Sequence, residues 1–193
     1  MRRAFGTVLA GLLLAPAIAC IPGPPKMTVR TAPETFHAYA RVAAADASGG
    51  AYVTIKVLRY SAAEDIGAME QALKSGSAPF LEALRRAPVV GTFEIGGQAF
   101  DIRWARETRS PAGRVISFVT DKPVYFVGGA SPDAKARTGF DVAVVQLTLS
   151  TSNVGEGVMA AAARVKPGGP TGVEVEDYAT EPVKLTSVMR GMS

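Results

Sequence analysis

The chain predicts a mainly β fold, β-rich α+β in class: an antiparallel curled barrel or sandwich of about ten strands with one inserted helical hairpin. Three observations predict it. Apolar and polar residues alternate with period two over most of residues 34–193. Clusters of Gly, Pro, Ser and Asp interrupt that alternation at short intervals, so most connections are tight and neighbouring strands run antiparallel. One stretch, residues 62–87, changes to helical spacing.

Phe36, Ala38, Ala40 and Val42 alternate with Thr35, His37, Tyr39 and Arg41. Asp46-Ala47-Ser48-Gly49-Gly50 then turns the chain, and Val53, Ile55 and Val57 alternate with Tyr52, Thr54 and Lys56, which completes a hairpin. Ser61 and Glu64 have the spacing of a capping box. Ile66, Met69 and Leu73 follow at helical intervals, with Gly76 placed to end the helix. Ser77 is positioned to cap a second helix, Pro79 is tolerated in its first turn, Phe80, Leu81 and Leu84 form its face, and Pro88 stops it. Helices are therefore expected over 62–75 and 78–87, packed against one end or opening of the sheet.

Strand signals resume over 89–95, and Gly96-Gly97 is a two-residue turn. Phe100, Ile102 and Trp104 share one face of the next strand if it is regular, and Ser110-Pro111-Ala112-Gly113 ends it. Strands follow over 114–120, 124–127 and 140–149, with a loop over 128–138. Thr151-Ser152-Asn153 with Gly155 and Gly157 turns the chain into 158–165. Lys166-Pro167-Gly168-Gly169-Pro170 turns it into 173–177, and a strand over 183–188 closes the chain. These strands lack the aromatic girdles and clean lipid-facing alternation of a transmembrane barrel.

With 193 residues, 48% hydrophobic and 20% charged, the chain holds one globular domain plus short appendages. Its net charge of +4 falls to +2 without Arg2 and Arg3, from 19 basic and 17 acidic residues. No run of Lys and Arg interleaves with aromatics, which excludes a nucleic-acid footprint. The lone cysteine, Cys20, excludes an intramolecular disulfide.

Arg2 and Arg3 precede an uncharged stretch, residues 4–19, centred on Val8-Leu9-Ala10-Gly11-Leu12-Leu13-Leu14. The run suits the h-region of a secretion signal and is short for a permanent span. Ala17-Ile18-Ala19 satisfies the A-x-A rule of ordinary signal peptidase. The same residues with Cys20 resemble the lipobox of bacterial lipoproteins. The resemblance implies a lipid on the Cys20 thiol and cleavage before it. Ile21 rather than Asp after the cysteine implies, by the same resemblance, an outer-membrane lipoprotein facing the periplasm or surface. Under ordinary cleavage the product is periplasmic or secreted. An unpaired thiol is a liability in an oxidising compartment, which favours the lipid. Pro22, Pro24, Pro25 and Pro33 mark residues 20–33 as an extended tether. The organisation is thus signal 1–19, tether 20–33 and one β-rich domain 34–193.

No catalytic, metal or cofactor site emerges. His37 is the single histidine, on the polar face of its strand, where a zinc site wants three or four His or Cys ligands. No G-x-S-x-G elbow accompanies it. Gly155-Glu156-Gly157-Val158-Met159-Ala160 matches a dinucleotide fingerprint in letters, but no βαβ alternation surrounds it, so it reads as a glycine hairpin between strands. Glu94, Asp101, Glu107 and Asp121 read as solvent-face charges. Arg103, Trp104, Arg106 and Arg109 make the densest basic-aromatic cluster, and form either a salt-bridged surface or a ligand or partner patch.

The segments Gly91-Thr92-Phe93-Glu94-Ile95, Arg103-Trp104-Ala105-Arg106-Glu107-Thr108 and Tyr178-Ala179-Thr180-Glu181-Pro182-Val183-Lys184-Leu185-Thr186, with the helical pair, are similar to an unnamed group of exported bacterial envelope proteins without assigned activity. The expectation is a non-enzymatic binding or interaction module of the cell envelope, held to the membrane through Cys20 and recognising an envelope protein. The alternative is a lipocalin-like carrier of a small hydrophobic ligand, and a more distant one an enzyme with an unrecognised site. Large inward side chains (Phe36, Ile55, Phe100, Ile102, Trp104, Phe140) would fill the interior, whereas Ala38, Ala40, Ala161 and Ala163 on the same face would leave room.

Overall fold

Period two becomes nine strands and the helical stretch becomes two helices in a computed structural model that describes residues 33–41, 50–125 and 137–191. In chain order the elements are β1 Glu34–Arg41, β2 Gly50–Val57, α1 Ala63–Lys74, α2 Ser77–Arg86, β3 Gly91–Ile95, β4 Gln98–Ser110, β5 Gly113–Thr120, β6 Val142–Ser150, β7 Val154–Pro167, β8 Val173–Tyr178 and β9 Val183–Arg190. The signal, Cys20, the tether up to residue 32 and the 42–49 turn lie outside the described residues, as does most of the 128–138 loop.

Every pairing is antiparallel, in the order β6-β5-β4-β3-β2-β1-β9-β7-β8, and β6 also pairs with β7. That last pairing closes eight strands into a barrel and settles barrel against sandwich. β8 and β9 occupy the same edge of β7 in succession: β9 pairs from Val154 to Met159, and β8 from Ala163 to Pro167. Closure removes sheet edges, so β8 alone keeps one open among the described strands.

The β3–β4 hairpin shows how local chemistry sets register. Gly96 and Gly97 both have positive φ, 57° and 79°, as the two-residue turn requires, and Ile95 is brought opposite Gln98. Nine strands stand among the described residues where about ten were expected, and residues 126–127 of the strand expected over 124–127 lie outside them. Val124 joins the sheet through one bond, its N–H to the Ala161 carbonyl, and residues 124–125 are not strand. Gly155 and Gly157, expected in a turn, lie inside β7; the turn is confined to 151–153.

Two cores sit on opposite faces of the wall. The interior is filled by Phe36, Ile55, Phe93, Ile102, Ile116 and Phe118, each at most 1% exposed, with Ala38, Ala40 and Ala161 among them. Each large side chain so buried contributes about 1.5–3 kcal/mol. The second core lies outside the barrel, where Met69 and Leu73 of α1 and Phe80 and Leu84 of α2 cover Trp104, Val119, Val144 and Ala163. The helices therefore lie along the outer wall and not over an opening, because the wall itself turns an apolar face outward there.

Helix entry also differs from the capping expectation. Ala62 occupies the cap of α1 without a side-chain bond, and Gly76 that of α2. Ser61 is instead drawn into the sheet: its N–H donates to the Ala105 carbonyl and its Oγ accepts from the Ala105 N–H at 3.0 Å. A buried backbone group satisfied this way outweighs a local cap.

Candidate functional site

The expected patch of Arg103, Trp104, Arg106 and Arg109 is dispersed by a β-bulge. Register shifts between Ile102 and Trp104, so one extra residue, Arg103, enters β4. Ile102 and Ala105 then face the interior, while Trp104 faces out under α2 with 0% exposure. Its ring meets Phe80 edge-on, 6.4 Å between centroids. Each arginine is already paired. Arg103 donates to the Ala87 carbonyl at 2.9 Å and lies 3.4 Å from Asp121, Arg106 pairs with Glu70 of α1, and Arg109 with Glu107. The salt-bridged reading of these residues matches the geometry. Trp104 is not available to a surface ligand.

A charged cluster that sequence alone does not reveal plugs the end of the barrel where β1 begins. The Glu34 carboxylate is fully buried and accepts from the Tyr60 hydroxyl at 2.8 Å and from Arg114 Nη1 at 2.9 Å, with Arg190 Nε 3.5 Å away. Arg114 also reaches Glu107 at 3.2 Å and lies over the Phe36 ring at 5.3 Å. Burial pushes the Glu34 carboxyl up, but the Tyr60 hydroxyl and the Arg114 and Arg190 charges outweigh it and hold it below the usual carboxylate range. Burial and the Glu34 charge push the Tyr60 phenol far up, so it stays a donor. This cluster is a structural plug centred on the Glu34 carboxylate, in which Arg114 Nη1 and the Tyr60 hydroxyl donate while Arg114 Nε and Nη2 make no hydrogen bond among the described residues.

A concavity of about 360 Å³ opens between α2 and the approach to β6, lined by Ser77, Leu81, Glu82, Arg85, Thr138 and Asp141. It is a wide surface cleft with charges of both signs on its rim.

The most distinctive exposed surface is the barrel wall away from the helices, on β2, β1, β9 and the first half of β7. The pairings arrange its outward residues in rows. His37 lies opposite Met189, and Met189 opposite Val154. Tyr52 lies opposite Tyr39, and Tyr39 opposite Thr186. Arg41 lies opposite Lys184, and Lys184 opposite Val158. Tyr52 is 84% exposed, Val154 52%, Met189 49% and Val158 43%. The two tyrosines meet edge-on at 5.4 Å. His37, expected as a solvated strand residue, is exposed here. The available signal was period two itself, since Tyr39, Tyr52 and Val158 fall on polar-phase positions. Which strands are neighbours had to come from the fold.

Among the described residues no three His, Cys, Asp or Glu side chains gather as a metal site would require, and no helix is long and apolar enough to cross a membrane. Compared with protein-family models, curated proteins and solved structures, the chain finds no match.

Proposed function

We propose that this is an exported envelope protein, anchored by lipid on Cys20, whose barrel is a non-enzymatic binding module. One observation carries the reading. Half of the wall turns apolar residues outward and covers them with α1 and α2; the other half turns Tyr52, Met189, Val154 and Val158 outward with no cover among the described residues. Exposed apolar residues grouped on one face mark an interaction surface. The lipocalin-like alternative needs interior room, and the ring of Phe36, Phe93 and Phe118 occupies that space.

Two measurements test this. Native mass spectrometry of the chain from residue 20 onward, carrying Cys20→Ser, is expected to give a bare protein mass. A retained lipid-sized mass would move the function to the interior. In the producing cell, the full chain is expected in the membrane fraction and Cys20→Ala outside it. Unchanged fractionation would remove the anchor.

A further inference from the structure

We propose that the uncovered wall docks onto an anionic lipid surface, with Arg41 and Lys184 contacting headgroup phosphates and Tyr39, Tyr52 and Met189 settling among the headgroups. This rests on the binding-module reading above and names its partner.

The charge pattern is the first argument. Arg41 and Lys184 are directly opposite on adjacent strands, both exposed, and neither forms an ion pair among the described residues. Like charges so placed repel, and an anionic surface laid against them relieves that repulsion. Elsewhere in the described residues, Arg103, Arg106, Arg109 and Arg114 have acidic partners, and exposed cations without one, such as Lys74 and Arg85 on the helices, are not set opposite a like charge across a strand pair. Lys56, on the same wall, pairs with Glu94 of β3 at 2.7 Å. Among outward residues of these four strands the one carboxylate is Glu156. Among the described residues the wall thus offers a cation pair without an ion-pair partner beside a tyrosine pair. Tyrosine suits a bilayer interface because its ring is apolar and its tip polar.

Shape and connectivity give the second argument. The outside of a barrel is convex, and Tyr52 projects from it almost fully exposed. A deformable headgroup layer accommodates such a surface. The tether runs directly into β1, the strand that carries Tyr39 and Arg41. Residues 21–33, extended, reach about 40 Å, whereas β1 is roughly 26 Å long. An anchor on Cys20 therefore leaves enough chain for the wall to lie flat on the leaflet that holds it.

The test separates docking from anchoring by using the chain from residue 20 onward with Cys20→Ser. It keeps all nine strands, and the barrel closes within Glu34–Arg190. The probes are phosphatidylcholine vesicles with and without phosphatidylglycerol, read by co-flotation, with Trp104 fluorescence confirming the fold. Binding is expected to the anionic vesicles and to fall roughly 30-fold in Arg41→Ala/Lys184→Ala. Tyr52→Ser is expected to weaken it several-fold. The control is Lys74→Ala/Arg85→Ala, which removes two exposed cations from the helical side and is expected to leave binding unchanged. Equal loss in the control, equal binding to both vesicle types, or no vesicle binding by the folded parent would each overturn the proposal. So would binding to immobilised polyglutamate without vesicle binding, which would assign the wall to an acidic protein. None of these results touches the anchor, which Cys20→Ala fractionation decides separately.

Discussion

Glu34 is the residue on which the barrel end depends. Its side chain is inaccessible, and so is nearly all of Arg114, whose Nε and Nη2 make no hydrogen bond among the described residues. Such a pair is costly to break one-sidedly, because the partner charge stays buried. Glu34→Gln is expected to lower unfolding free energy by about 3 kcal/mol in a urea titration. The pH dependence follows from the depressed carboxyl. Its contribution is fully present above the unfolded value of about 4.3 and is lost as pH falls through the lower folded value. The parent is therefore expected to lose stability steeply on acidification below about pH 4, and Glu34→Gln to show a shallower slope over the same range. Gly157 is a second sensitive position. A Cβ there would come within 2.7 Å of both the Gln146 carbonyl oxygen and Leu147 Cδ2. The carbonyl belongs to the β6–β7 ladder and cannot move away freely. Gly157→Ala is expected to cost about 1–3 kcal/mol, seen as a lower melting temperature.

At the scale of elements, the helical pair and the barrel are separable layers. The interior packs without α1 and α2, while the outer core needs both. Trp104 is the one tryptophan of the chain and sits in that outer core, so its emission reports helix docking. Leu84 is wholly buried between α2 and the wall. Leu84→Asp puts an unpaired charge there, which costs several kcal/mol by order of magnitude. Emission from Trp104 is expected to shift to longer wavelength while the strand signal in circular dichroism persists. An unshifted emission, or loss of strand and helix together, would show that the two layers fold as one.

For the whole molecule, closure matters most, since it leaves β8 as the one open edge among the described strands. That edge is short and carries Glu174, Glu176 and Asp177, with a bulge where the register shifts against Arg164 and Val165. Charges and bulges of this kind blunt an edge against pairing with another chain. Glu174→Val/Glu176→Val is expected to promote self-association at concentrations where the parent sediments as a monomer. A monomeric double variant would mean that the edge is protected by something other than its charge.

Much of this architecture was legible in the residues. Period-two alternation located the β1–β2 and β3–β4 hairpins, Gly96-Gly97 announced its own turn, and helical spacing placed α1 and α2 to within about two residues. These features are local, decided by backbone preference and by neighbours a few positions away. The candidate sites were not local. A single inserted residue at Arg103 reversed the face of Trp104, because side-chain direction in a strand depends on counting by twos. The Glu34, Tyr60 and Arg114 plug joins residues 80 positions apart, and the Arg41–Lys184 pair forms only because β9 closes against β1. The sequence by itself determined which segments are strands and which are helices. Tertiary structure decided the barrel, its filled interior, and which side chains it turns outward together, because closure and register are set by contacts between distant segments.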